Sequence, residues 1–155
     1  MLHILIDADA CPVKQEVYRV AKRYGLNVTL VANSWMRTPE DPEIALEVVK
    51  DDFDAADDWI VDQAGPDDIV ITADILLAGR CLQKGARVIG TTGKPFTEDN
   101  IGAAIATREL LAELRVTGEV AGGPPPMDKR DRSRFLQQLD QEIQSIRRSR
   151  GVGDA

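Results

Sequence analysis

Leu2-His3-Ile4-Leu5-Ile6 is a nearly unbroken aliphatic run that stops abruptly at Asp7-Ala8-Asp9-Ala10-Cys11-Pro12. A run of this kind, without polar alternation, reads as a strand covered on both faces. A chain that opens this way must supply layers above and below its sheet, and the remainder has the pattern to do so. Strands are expected near 2–7, 27–32, 45–49, 68–73 and 87–90, alternating with helices near 13–24, 55–64, 75–85, 98–115 and 131–148. Pro12 is expected in the first turn of the first helix, where its missing donor costs nothing. Gly25 and Gly85 follow the first and third helices as C-terminal caps. Repeated strand–helix units predict an α/β fold, a single domain with a mainly parallel sheet flanked by helices.

Length and composition narrow the class. A chain of 155 residues with 43% apolar and 29% charged residues suits one globular domain with a real core. No stretch approaches the roughly 18 apolar residues of a membrane span, and no basic segment precedes an apolar signal core. The expected location is the cytoplasm, with no membrane partner. Cys11 and Cys81 form no CxxC pair and His3 is the only histidine, which disfavours a Cys/His zinc site. Cys11 stands just before Pro12 at a helix start, where a thiol pKa can be lowered, although local packing is the simpler account. His3, inside a strand, is expected to be packed.

Charge is spread unevenly around a net of −7. Residues 38–68 hold twelve acids and one base, Lys50, whereas residues 129–150 hold seven bases and three acids. The acidic body argues against avid non-specific nucleic-acid binding, while the basic end can meet phosphate or form an ordinary solvated helix face. Residues 118–128, with three Gly and three consecutive Pro, read as a semi-rigid connector between a 1–117 core and a 129–150 helix. In that helix Phe135, Leu136, Leu139, Ile143 and Ile146 recur at helical spacing, so it should pack on its own domain. Residues 151–155 read as a frayed end.

In an open parallel sheet, ligands bind beyond the carboxyl ends of the strands. Those ends carry Asp7 and Asp9, then Asn33 and Ser34, then Thr72 and Asp74, then Thr91, Thr92 and Gly93. Asp54-Ala55-Ala56-Asp57-Asp58-Trp59-Ile60 adds three acids around one helix start, where Asp54 can cap and the others can favour the helix dipole. Acids crowded on one turn also repel unless a cation is near. Asp7, Asp9, Asp54, Asp57, Asp58 and Asp74 are the candidate metal ligands, and their all-oxygen set suits Mg²⁺ or Mn²⁺. Such ions orient phosphate and lower the pKa of a bound water. Lys14, Asn33, Ser34, Thr72, Arg80 and Lys94 follow strand exits and are candidate phosphate or substrate contacts. Trp35 and Trp59 flank this region, with core packing as their default. Aromatics make up only 5% of the chain, which gives little sign of base stacking.

The segments Leu5-Ile6-Asp7-Ala8-Asp9-Ala10-Cys11-Pro12-Val13-Lys14, Asp54 to Ile60 and Asp68-Ile69-Val70-Ile71-Thr72-Ala73-Asp74 resemble the YaiI/YqxD family of uncharacterised bacterial proteins. Asn100-Ile101-Gly102, Leu114-Arg115, Gly122-Gly123-Pro124 and Asp131 to Leu136 extend the resemblance over nearly the whole chain. That family is grouped by similarity with PIN-like nuclease domains, whose acids follow strand one, open a mid-chain helix and follow a later strand. The resemblance thus implies Asp7, one or more of Asp54, Asp57 and Asp58, and Asp74, with Asp7, Asp57 and Asp74 as the catalytic set. Asp9 lacks an assured PIN counterpart. Leu76 stands where relatives often carry Pro, a departure that touches the helix start and not the acids.

The expected activity is divalent-metal-dependent hydrolysis of phosphodiester bonds, with RNA as the partner. One alternative is a non-catalytic module binding metal and RNA, its basic tail clamping the backbone through Lys129, Arg130, Arg132 and Arg134. Another is a haloacid-dehalogenase-like phosphatase, in which Asp7 would be the nucleophile, Asp9 the general acid and Thr72 part of a second motif. That fold expects its remaining acid pair after the lysine, whereas here the acids precede the Thr motif.

Overall fold

The computed structural model of the chain describes residues 2–50, 54–118 and 127–149. Its architecture is α/β, one domain with a six-stranded, mostly parallel sheet between helices. The strands are β1 (His3–Asp7), β2 (Asn27–Ala32), β3 (Ile44–Val48), β4 (Asp68–Ile71), β5 (Arg87–Ile89) and β6 (Pro95–Phe96). The helices are α1 (Lys14–Tyr24), α2 (Ala55–Gln63), α3 (Ile75–Gln83), α4 (Glu98–Val116) and α5 (Lys129–Ser149), with a short 3₁₀ turn at Ala8–Ala10. The order across the sheet is β3-β2-β1-β4-β5-β6. β1 is therefore central, with Asp7 opposite Val31 of β2 and Ile6 opposite Ile71 of β4. Every pairing is parallel except β5 with β6.

Alternation along the strands divides the core into two layers. Ile4, Ile6, Val28, Leu30, Ile69, Ile71 and Ile89 face α1 and α5, meeting Val17, Val20, Phe135, Leu139, Ile143 and Ile146. Leu5, Val31, Val70 and Val88 face the other way, onto Ile60 of α2 and Leu77, Ala78 and Cys81 of α3. α4 lies outside this sandwich, against α3, and buries no residue completely.

The two glycine caps are met and other local expectations are corrected. α1 begins at Lys14, so Pro12 precedes the helix instead of sitting in its first turn. Gly25 is the left-handed cap of α1, with φ 66°, its amide reaching the carbonyls of Ala21 and Lys22. Gly85 ends α3 as expected, directly after Lys84, at φ 85° with its amide on the Leu82 carbonyl. The pairing of Pro95–Phe96 with β5 was absent from the sequence reading. Most of the 118–128 connector and the frayed end at 151–155 lie outside the described residues.

α5 is fastened to the domain by polar contacts as well as by its apolar stripe. Arg132 donates to the Pro12 carbonyl at 2.8 Å and pairs with Glu16 at 3.3 Å. Fifteen residues on, Arg147 donates to the Tyr24 carbonyl at 3.2 Å and lies over the Tyr24 ring, 4.8 Å from its centre. The Tyr24 hydroxyl donates to Asp140. Arg87 and Glu142 pair at 3.0 Å. α5 thus runs parallel to α1, and its basic start lies at the carboxyl edge of the sheet. Gly93, at φ 90° in the turn after β5, touches the same helix: a Cβ there would lie 2.7 Å from the backbone of Arg134 and Phe135.

Candidate functional site

The carboxyl edge of the sheet gathers acids from three elements. Asp7 ends β1, Asp74 opens α3 just beyond β4, and Asp57 lies in the first turn of α2. The three feel one another electrostatically. Burial raises the Asp7 pKa above the ordinary carboxylate value; the Thr72 hydrogen bond opposes that rise, and Asp74 and Asp9 add to it. Burial likewise raises Asp57, reinforced by Asp74, Asp7 and Asp54 and eased by Arg80, to about 6. A raised carboxylate amid other carboxylates marks a place where positive charge would be stabilising.

Most of these acids are held by protein donors. The Thr72 hydroxyl donates to Asp7 Oδ2 at 2.7 Å and accepts the Asp74 amide at 2.9 Å. Asp74 Oδ1 caps α3, accepting the amides of Leu76 at 2.9 Å and Leu77 at 3.2 Å. Asp9 Oδ2 accepts the Asn33 amide at 2.9 Å, tying the turn after β1 to the exit of β2. Asp58 is turned to solvent and pairs with Arg80 at 2.9 Å. Asp54 is the N-cap residue of α2, but its side chain makes no capping bond there, contrary to expectation.

Among the described residues no three His, Cys, Asp or Glu side chains stand close enough together to form a ready-made metal cage. The donor set still fits a hard cation. Mg²⁺ is commonly held by one or two carboxylates, with waters and substrate oxygens completing its shell. Asp7 and Asp57, with Asp74 beside them, meet that lower requirement in chemistry and charge. Asp9 and Asp58 are engaged by Asn33 and Arg80, and Asp74 Oδ1 by two amides of α3.

The expected substrate contacts divide. Asn33, Ser34 and Lys94 are exposed along the edge. Lys14 donates to the Cys11 carbonyl at 2.9 Å, and Arg80 is engaged by Asp58. Thr72 is 1% exposed with its hydroxyl occupied as donor and as acceptor, so it orients acids and cannot touch substrate. The Cys11 thiol is pushed up by burial, the reverse of the activation that its position suggested. Cys81 is pushed up to about 12 by burial. His3 is packed as expected: half-buried, it shares a 2.8 Å hydrogen bond with Thr29. Trp59 packs against the α2–α3 layer, whereas Trp35, assigned to the core by default, is 74% exposed. The sequence singles out the basic start of α5 through Lys129, Arg130, Arg132 and Arg134; its docking at this edge is not legible there, because the helical stripe gives no direction.

Residues 5–145 match the family model described as "Uncharacterized BCR, YaiI/YqxD family". The chain belongs to the YaiI/YqxD family. Relatives named "UPF0178 protein" span it almost end to end. That of Sphingopyxis alaskensis is 57% identical over 146 residues, covering 94% of this chain and 95% of the relative. The Nitrobacter winogradskyi protein is 53% identical over 148 residues, covering 96% and 94%. No solved structure matches the chain. Among the described residues no helix is long and apolar enough to cross a membrane.

Proposed function

We propose that this YaiI/YqxD protein is a divalent-metal-dependent nuclease of PIN-like type acting on phosphodiester bonds, with RNA as its substrate. The observation that carries the reading is the convergence of Asp7, Asp57 and Asp74 on the carboxyl edge, where burial first, and then the charges of Asp74 and Asp7, raise the Asp57 pKa to about 6. Asp7, Asp57 and Asp74 would hold Mg²⁺ or Mn²⁺ there. When bound, such an ion neutralises phosphate charge and makes a water more acidic. Thr72 orients Asp7 by its hydrogen bond and fixes the turn that presents Asp74. Lys94 and, at the start of α5, Lys129, Arg130 and Arg134 are exposed on the α5 side of the same edge, Arg134 pairing with Asp131 at 3.2 Å, and would supply phosphate contacts. The active site is thus read as a seam between an acidic and a basic bank.

The second reading is a non-catalytic cation- and RNA-binding module. It is favoured by Asp9, Asp58 and Asp74 already being satisfied within the protein. The phosphatase reading loses support, because it needs Thr72 available to phosphate and that hydroxyl is buried and doubly engaged.

The deciding experiment follows labelled single-stranded and structured RNA with Mn²⁺, beside a small phosphomonoester. RNA cleavage lost in Asp7→Asn and Asp57→Asn, yet retained in Cys11→Ala, is the expected outcome. A trapped phosphoaspartate, or turnover of the phosphomonoester alone, overturns the nuclease in favour of the phosphatase. RNA and Mn²⁺ binding without turnover favours the module.

A further inference from the structure

Trp35, on the loop that follows β2, is a large apolar side chain whose exposure works against its chemistry. An indole buries about 150–250 Å² when covered, yet this one is 74% exposed. Its position is held at both sides. Two residues earlier, the Asn33 amide is bonded to Asp9 at 2.9 Å, and one residue later Met36 packs into the α1–α5 core layer. Val31, four residues before the indole, is the register partner of Asp7. The ring is therefore carried on a segment tethered to Asp9, on the loop that leaves the strand paired with β1.

We propose that Trp35 is a stacking platform for an unpaired nucleobase, so that the strand engaged at the acidic edge is single-stranded there. The proposal rests on the nucleic-acid reading of that edge and adds the form of the substrate. Three observations favour a base over an apolar protein surface. Asn33, Ser34 and Arg37, its exposed neighbours in the chain, are all polar, whereas a protein-binding hot spot is usually ringed by other buried contacts. The other large exposed apolar side chains, Leu76, Leu110 and Val116, belong to α3 and α4 and not to this loop. The basic start of α5, with exposed Lys129 and Arg130, lies at the same edge, where the helix meets Gly93 and Pro12. A ring face for a base and cations for the backbone are the two parts that sequence-tolerant single-strand binding combines. Paired bases keep their faces stacked inside the duplex, so the platform selects unpaired segments.

The test uses full-length protein in chelator, so that binding is read without turnover. The Trp59→Phe background leaves Trp35 as the sole indole, since the chain has two tryptophans. Titration with a ten-nucleotide single-stranded RNA should quench its fluorescence, and a duplex of the same sequence should not. By labelled-RNA binding, Trp35→Ala should weaken the single strand by about tenfold or more, within the range that one base stack is worth. Trp35→Phe should retain most of the affinity. An abasic residue scanned along the RNA should reproduce the loss at one position, with no further loss when combined with Trp35→Ala. Wild-type affinity in Trp35→Ala, with RNA still bound, overturns the stacking role and leaves the edge reading intact. Failure of the parent protein to bind any RNA, with or without Mn²⁺, overturns both.

Discussion

Thr72 donates a 2.7 Å hydrogen bond to Asp7, joining the end of β4 to the end of β1 through a buried hydroxyl. Because the same oxygen accepts the Asp74 amide, one side chain sets the spacing of two acids on different elements. Thr72→Val keeps the shape and removes both bonds. It should cost about 1–3 kcal/mol, the penalty for leaving buried polar groups unpaired, while Thr72→Ser should recover most of that. Because this bond holds the Asp7 pKa down against burial, the valine variant should show Asp7 titrating higher still by NMR. An unmoved Asp7 titration would mean the hydroxyl does not control that carboxylate.

Asp57 gives a prediction with a definite sign. Its folded-state pKa is about 6 against an ordinary 3.8, chiefly through burial, then through Asp74, Asp7 and Asp54. Ionising it thus costs more in the folded chain than in the unfolded one, and its contribution to stability is lost as pH rises from about 4 through 6. Asp57→Asn should be more stable than the parent at pH 8, with the gain vanishing near pH 4. Thermal unfolding at the two pH values measures this; a gain that is equal at both, or absent at pH 8, would contradict the crowding of charge at this edge.

Asp74 has a structural task that can be separated from metal binding. It caps α3 through the amides of Leu76 and Leu77, and Asn caps as well as Asp. Asp74→Asn should keep the metal-free melting temperature, whereas Asp74→Ala should lose about 1 kcal/mol. Both should lose most of the stabilisation that Mn²⁺ gives the parent, because a ligand of the native state stabilises in proportion to its affinity. Full Mn²⁺ stabilisation of Asp74→Asn would remove this carboxylate from the proposed site.

The central features were legible because they depend on local pattern. The aliphatic run ending at Asp7, the Asp68–Ile71 run leading to Asp74, and the glycine after α1 announce themselves without tertiary knowledge. Other features depend on which neighbours the fold supplies. Adjacent acids on a helix point about 100° apart, so Asp57 and Asp58 have different fates: one faces Asp7 and Asp74, the other is taken by Arg80. Which is which depends on how α2 sits on the sheet. Thr72 looked like a substrate contact because it ends a strand, but burial and two partners belong to packing. Trp35 was read as core by default, but its loop, bonded to Asp9 through Asn33, turns Met36 inward and leaves the indole outside. The two-residue strand β6 is too short to carry any periodicity.

The docking of α5 should decide whether the basic bank exists at all. Phe135, Leu139, Ile143 and Ile146 are buried against the sheet and α1, and each such burial contributes on the order of 1.5–3 kcal/mol. Deleting residues 129–155 should therefore lower the melting temperature sharply or leave the domain unfolded. Gly93→Ala is the finer probe. The new Cβ would need φ near 90° and would press within 2.7 Å of the backbone at Arg134 and Phe135, which no side-chain rotation can relieve. We expect a loss of about 1–3 kcal/mol, typical of overpacking, together with weaker RNA binding as Lys129, Arg130 and Arg134 shift. Arg130→Ala, exposed and remote from that contact, should weaken RNA binding while leaving the melting temperature unchanged. If Gly93→Ala melts like the parent, α5 does not rest on the β5–β6 turn, and the cations at its start do not form the second bank of the site.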